Sequence, residues 1–278
     1  MKIFICGCVR NCEPHIDRVF QNIQLLCNQF HDIHIILAYD ESSDGTLEKL
    51  REYQGQFPKY DILINNQQMA PRRTENIANA RNAVLKRIQQ LLEMNDYDNT
   101  EWTHFIMMDF DDVCSGTLNT DVLHKYLGAS YLDKWDALSF NRPDYYDIWA
   151  LSFYPYVYSY WGWQEHWVVL YIMKDVITRV LRAADPDSLV ECESAFNGFA
   201  MYRCSQFLNC QYDWRIPIQY MDMDTLSKNR GAVGCREPTT PFDATSDEED
   251  CEHRHFHMQS IHQNSAKIRI SPLCLFST

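Results

Sequence analysis

Met108-Asp109-Phe110-Asp111-Asp112 places three carboxylates in four positions directly after the apolar run Phe105–Met108. Acids at i and i+2 at the end of a strand can turn toward one divalent cation, and Mg²⁺ or Mn²⁺ prefers hard oxygen ligands shared with phosphate. The spacing marks Asp109 and Asp111 as metal ligands, Asp111 directly and Asp109 directly or through water. Asp112 or Ser115 reads as a cap. A second polar segment, AYDESSDGTLEKL, brings Asp40, Ser42, Asp44, Gly45 and Thr46 to the start of a helix, where such groups can hold sugar, ribose or base hydrogen bonds. Asp44 or Thr46 also suits capping.

Cations are concentrated at Arg72, Arg73 and Arg81, with Arg10 after the first strand. An arginine fork offsets a diphosphate well, which makes these four candidate donor contacts. Near the C-terminus, Glu252 is followed by His253, His255 and His257. His253 and His257 are i and i+4, share one helix face, and are candidates for touching metal or diphosphate. His253 stands ahead because it neighbours Glu252.

Positioning these residues needs a scaffold, and the first 113 residues read as β-α-β-α-β-α-β. The strands are Ile3–Cys8, Ile33–Tyr39, Asp61–Asn65 and Thr103–Met108, and the helices Pro14–Phe30, Thr46–Gln54 and Thr74–Glu93. Alternation of this kind implies a mostly parallel sheet covered by helices, with ligands bound beyond the strand C-terminal ends. The segment NRPDYYDIWALSFYPYVYSYWGWQEHW is dense in aromatic rings that serve a core or stack on sugars. A helix from His255 to Asn264 and a strand from Lys267 to Phe276 close the chain.

The 278 residues carry 25 Lys plus Arg against 38 Asp plus Glu, a net charge of −13. That balance argues against a nucleic acid partner. At 46% hydrophobic, with 16 Tyr, 14 Phe and 7 Trp, the chain is globular rather than disordered. No apolar run approaches the roughly 20 residues of a membrane span, and MKIFICGCVRN reads as a strand rather than a leader. Eleven cysteines without a repeated CxxC read as reduced thiols in a cytoplasmic setting.

Taken together, the first strand with its Arg, YDESSDGT, APRRTENIANARNAVL, IMMDFDD and the late acidic segment resemble nucleotide-sugar-dependent glycosyltransferases of the GT-A fold. RRTENIANARN and WDALSFNRPDYYDIWAL are similar to the fungal capsular mannosyltransferase-like group and to short transferases of large algal viruses, which would place the chain in a host cytosol. The resemblance implies an α/β, Rossmann-like single domain over 1–278, with a nucleotide-sugar-binding half at 1–113 and an acceptor half at 114–278. It implies Mn²⁺ or Mg²⁺, a UDP-sugar donor such as UDP-xylose or UDP-glucose, and an oligosaccharide acceptor.

In the same terms, DFDD matches the DXD motif, and Val9, Arg10, Asp40, Arg72, Arg73, Arg81, Asp109, Phe110, Asn197 and Gly198 fall to the donor. FNGFAMYR matches the family's glycine loop. Glu252 matches the catalytic base of inverting members, although His253 stands where an Asp is usual and no His follows the final strand. Asp144, Tyr145, Asp147 and Trp163 are the candidate acceptor contacts. The stretch from Glu237 to Asp250 is a candidate lid over bound donor. The eight acids Asp109, Asp111, Asp112, Asp247, Glu248, Glu249, Asp250 and Glu252 are expected to converge on one cleft. A sugar nucleotidyltransferase or a non-catalytic glycan-binding module would use similar residues, and release of pyrophosphate, or binding without turnover, distinguishes them.

Overall fold

The computed structural model describes residues 1–154, 156, 157, 167–221, 224, 228 and 249–277. The N-terminal part runs β1 (Lys2–Val9), α1 (Glu13–Cys27), β2 (Asp32–Tyr39), α2 (Thr46–Gln54), β3 (Tyr60–Ile64), α3 (Arg73–Leu92) and β4 (Trp102–Met108). The remainder contains β5 (Thr117–Leu118), α4 (Thr120–Leu127), β6 (Ala137–Asn141), α5 (Trp167–Ala183), β7 (Val190–Cys192), β8 (Phe199–Arg203), α6 (Cys204–Phe207), α7 (Glu252–Asn264), β9 (Ile268–Cys274) and β10 (Phe276–Ser277). One sheet takes the order β3-β2-β1-β4-β8-β6-β9-β7, and β5 pairs with β10 beside it.

Strand β1 shows why the sheet is buried on both faces. Its alternate residues Phe4 and Cys6 enter one core with α3, while Ile3, Ile5 and Val9 enter the other with α1. A strand covered twice must be apolar throughout, as parallel strands are. The β1–β2, β1–β4, β2–β3 and β6–β9 pairs are parallel, whereas β8 runs antiparallel to both β4 and β6. The α/β class expected from the alternation is therefore observed, and β8 joins the two halves into one continuous sheet.

Three boundaries differ from the sequence pattern. Helix α1 stops at Cys27 rather than Phe30, and α7 begins at Glu252 rather than His255. The early start of α7 follows from Asp250, whose carboxylate accepts from Cys251 N at 2.7 Å and pairs with Arg254 Nε one turn on at 2.8 Å. The strand expected over Lys267–Phe276 is two strands. Pro272 offers no N–H, and the register against β6 slips there, from Phe140↔Ser271 to Asn141↔Cys274.

Loop 109–116 is held by a residue the sequence pattern does not single out. Asn22, on the buried face of α1, donates to Cys114 O (2.9 Å) and Gly116 O (2.6 Å) and accepts from Leu118 N (3.1 Å). Asn22→Ala strands these groups inside the protein and is expected to cost roughly 2–4 kcal/mol. Urea unfolding should show a lower midpoint with an unchanged slope; an unchanged midpoint would contradict the assignment.

Candidate active site

A cavity of about 420 Å³ opens beyond the C-terminal ends of β1, β2 and β4. Val9, Arg10 and Asp40 line one side, Arg73 and Arg81 of α3 the next, and Asp109, Phe110 and Asp111 the floor. Asp147, Glu252 and His253 complete it from the second half of the chain. This is where an open α/β sheet binds ligands, because the strand ends leave backbone groups and loops free there.

Arg81 is the electrostatic centre. Its Nη1 lies 2.7 Å from Glu252 Oε1 and its Nη2 3.4 Å from Asp109 Oδ1, the first as an ion pair without an aligned hydrogen bond. The guanidinium is 5% exposed and packs over Phe196 at 4.6 Å and Tyr212 at 5.6 Å. Arg81, expected to offset a diphosphate, lines the cavity, and its charge is shared between two carboxylates from opposite halves of the chain.

Asp109 is pushed up to about 7 by burial and then by Asp111, with Arg81 opposing. Burial raises Asp111 as well, although Val113 N donates to its Oδ1 at 3.1 Å. Two neighbouring acids that both resist ionisation leave a deficit of positive charge between them. Among the described residues no group of three His, Cys, Asp and Glu is assembled to hold a metal. Two carboxylates on one cavity floor, Asp109 and Asp111, are the donor set that an ion of the Mg²⁺ or Mn²⁺ kind takes when substrate phosphates and water complete its shell. At this loop Asp111 is the N-cap, accepting from Val113 N, and Ser115, one of the two expected caps, is the C-cap, its Oγ donating to Asp112 O at 2.8 Å.

Several residues position others. Tyr146 Oη donates to Asp109 Oδ2 at 3.0 Å. Asn197, held at φ 56°, accepts from Tyr146 N and Asp147 N, both at 3.3 Å, and its own N–H returns to Asp147 Oδ2 at 3.3 Å. Gly198 follows at φ 87°, where a Cβ would stand 2.2 Å from Val113 Cγ1. Gly7 leaves room for the Phe110 ring, 2.4 Å from where a Cβ would be. Asn197 and Gly198, expected at the donor, are instead the clasp behind the cleft. Tyr146 escaped the sequence reading although the signal exists: in an extended segment alternate residues face opposite ways, and its neighbour Tyr145 points inward.

Other expectations are corrected by packing. Tyr145 is 1% exposed in the core, and Asp144 pairs with Lys174 at 2.6 Å; neither lines the cleft. His257 accepts or donates to Ser194 Oγ at 2.9 Å and Tyr202 Oη at 3.0 Å, so its ring is a core group with both nitrogens used. Arg72 places its guanidinium 4.3 Å from the Trp214 ring and is not among the lining residues, unlike Arg73. Asp44 caps α2 through Thr46 N (3.1 Å) and accepts from Glu13 N (3.2 Å), which latches the second polar loop to α1 and leaves Asp40 facing the cavity.

The eight acids do not all converge. Asp109, Asp111 and Glu252 do, whereas Asp112 lies off the lining, Glu249 caps α3 at Thr74 and Asp250 is buried against Arg254. Asp247, Glu248, Trp163 and most of the expected lid lie outside the described residues. Cys8, Cys12, Met69, Asn76, Ile77, Tyr146, Trp149, Phe196 and Cys251 complete the lining; Asn76, Ile77, Tyr146, Trp149 and Phe196 fall within the segments that carry the family resemblance.

No protein-family model matches the sequence, and no curated protein matches it. Solved structures do resemble it. Mannosyltransferase PcManGT from Pyrobaculum calidifontis, in complex with GDP-Man and Mn²⁺, is 12% identical over 77% of this chain and 48% of that one, with a TM-score of 0.44. S. aureus TarS 1-349 in complex with UDP-GlcNAc is 11% identical over 100% of this chain and 58% of that one, with a TM-score of 0.49. Glucosyl-3-phosphoglycerate synthase from Mycobacterium tuberculosis, with Mn²⁺, UDP and phosphoglyceric acid, is 12% identical over 74% and 57%, with a TM-score of 0.40. This chain thus spans about half the length of the chains it matches. At TM-scores below 0.5 these likenesses carry no assignment of activity.

Among the described residues no helix is long and apolar enough to cross a membrane.

Proposed function

We propose that the chain is a metal-dependent GT-A glycosyltransferase that moves a sugar from a nucleoside diphosphate sugar to a hydroxyl of an acceptor glycan. The observation that carries this reading is the placement of Asp109 and Asp111 across one cavity from Glu252, with Arg81 paired to both sides. Asp40 and Arg10 sit at the rim where a nucleoside would enter, and Arg73 stands by for phosphate. A divalent cation on Asp109 and Asp111 would supply charge neutralisation of the leaving diphosphate. Glu252, 4% exposed and oriented by Arg81, takes the acceptor proton as the hydroxyl attacks the anomeric carbon from the opposite face.

A single displacement of that kind inverts configuration, so an α-linked donor gives a β-linked product. UDP is the nucleotide favoured by the sequence resemblance, with xylose or glucose as the sugar, in a cytoplasmic setting. NMR of the product decides the stereochemistry, and retention overturns the role of Glu252.

Metal dependence gives a direct check. Nucleoside diphosphate sugars with Mn²⁺ are expected to raise the thermal midpoint, by a stabilisation of about 2.7 kcal/mol at a hundredfold excess over Kd. Chelation with EDTA should remove that increment and leave the unliganded midpoint near its starting value, and Asp111→Ala should remove it on top of the lower starting midpoint that loss of the cap to Val113 N brings. Persistence of the increment in both would remove the metal from the reading. Release of pyrophosphate instead of nucleoside diphosphate would turn it into a nucleotidyltransferase.

A further inference from the structure

Asp147 and His253 are two polar groups of the cleft whose hydrogen-bonding capacity the protein itself leaves partly open. We infer that together they form the subsite that reads the hydroxyl groups of the transferred sugar. The inference rests on the glycosyl-transfer reading and names the part of the substrate these side chains meet.

Position is the first argument. Asp147 and His253 line the cavity, Asp147 next in the chain to Tyr146, whose hydroxyl donates to Asp109 Oδ2 at 3.0 Å, and His253 with its Nε2 3.8 Å from Glu252 Oε1. In a nucleotide sugar the transferred ring lies between the diphosphate, assigned to Asp109, and the attacking hydroxyl, assigned to Glu252. Side chains that line the cavity beside those two ends are placed to meet the ring.

Preorganisation is the second. Asp147 Oδ1 accepts from Ala150 N at 3.2 Å and Oδ2 from Asn197 N at 3.3 Å, so the carboxylate is fixed from behind by backbone. An ionised carboxyl offers about four acceptor sites, and two of them remain. They suit hydroxyl donors. A diphosphate has no proton to give at neutral pH and would be repelled.

His253 supplies the complementary half. Its ring lines the cleft, is 1% exposed, and neither nitrogen has a hydrogen-bond partner. It is stacked on Phe196 at 3.9 Å and set edge-on to Tyr212 at 5.4 Å, and its Nε2 is 3.8 Å from Glu252 Oε1, beyond hydrogen-bond range. Neutral imidazole has one donor and one acceptor, and a hydroxyl answers with one of each. Burial first and nearby Arg81 second disfavour a cation on this ring, and no metal-binding group of three or more is assembled among the described residues. Phe196 carries His253 while its neighbour Asn197 clasps Asp147, so one turn of chain sets both halves.

The test compares Asp147→Asn and His253→Phe with wild type, titrating UDP, GDP and a panel of their sugar conjugates in Mn²⁺ by calorimetry. Wild type is expected to bind one sugar conjugate more tightly than the bare diphosphate. Asp147→Asn should keep diphosphate affinity within about twofold and lose roughly 10- to 100-fold for the conjugate, the effect of removing a hydrogen bond to a charged group. His253→Phe, which preserves the stack, should shift in the same direction. For either variant, conjugate affinity equal to wild type, or an equal loss for diphosphate and conjugate, overturns the subsite while leaving glycosyl transfer standing. A wild type that binds neither ligand overturns both. Deoxy-sugar conjugates on wild type give a readout that needs no variant: at least one should bind no better than the bare diphosphate, and equal binding of all of them overturns the subsite.

Discussion

Glu252→Gln is expected to bind donor almost as wild type does and to turn over roughly 10²–10⁴-fold more slowly, the usual loss for a general base. The amide keeps the shape of the side chain at the first turn of α7 but cannot accept the proton. Donor binding survives because Asp109, Asp111 and Asp40 are untouched. Single-turnover kinetics with the identified donor separate the two quantities. A variant with full kcat would transfer the base to another group, and Asp147, held up to about 6 chiefly by burial, is one of the other carboxylates that line the same cavity.

Arg81→Met is expected to have the largest effect on stability, roughly 3–5 kcal/mol, because breaking a buried pair leaves uncompensated charge. Here two carboxylates lose their shared cation: Glu252, with a side chain 6% exposed, and Asp109, 24% exposed. The apolar stem of Met still fills the space under Phe196 and Tyr212, which isolates the charge from the packing. Transfer should fall as well, since Glu252 loses the group that orients it. In Arg81→Met/Glu252→Gln one of the two stranded charges is gone, so the double variant should recover part of the loss, with a coupling of about 0.5–3 kcal/mol. Urea midpoints of the four proteins measure it. Additive costs would show that the 2.7 Å pair contributes nothing to folding.

Much of the site was legible before any coordinates because its chemistry is local. DFDD follows a strand, and the end of a parallel strand is where the backbone stops being paired. Its acids therefore had to reach the cleft mouth. Asp40 follows from the same logic at β2, whereas Glu252 was marked by the resemblance of its segment to a family rather than by local chemistry. His257 and Arg81 show the limit: one shares the helical face expected of a ligand, the other the charge expected of a phosphate contact, and neither property reveals what lies opposite.

The sequence by itself determined the order of the N-terminal elements, the covering of their strands by helices and the strand-end acids, since each depends on periodicity over a few neighbouring residues. Only the tertiary structure decided that Arg81 pairs with Glu252, 171 positions away in the chain, that Asn197 clasps Tyr146 and Asp147, and that His253 keeps two unpartnered nitrogens beside the cleft. The physical reason is that a charge or a hydrogen-bonding group is defined by its partner. In this protein the partners arrive on α7 and β8, which the reversal of β8 between β4 and β6 brings against the N-terminal half.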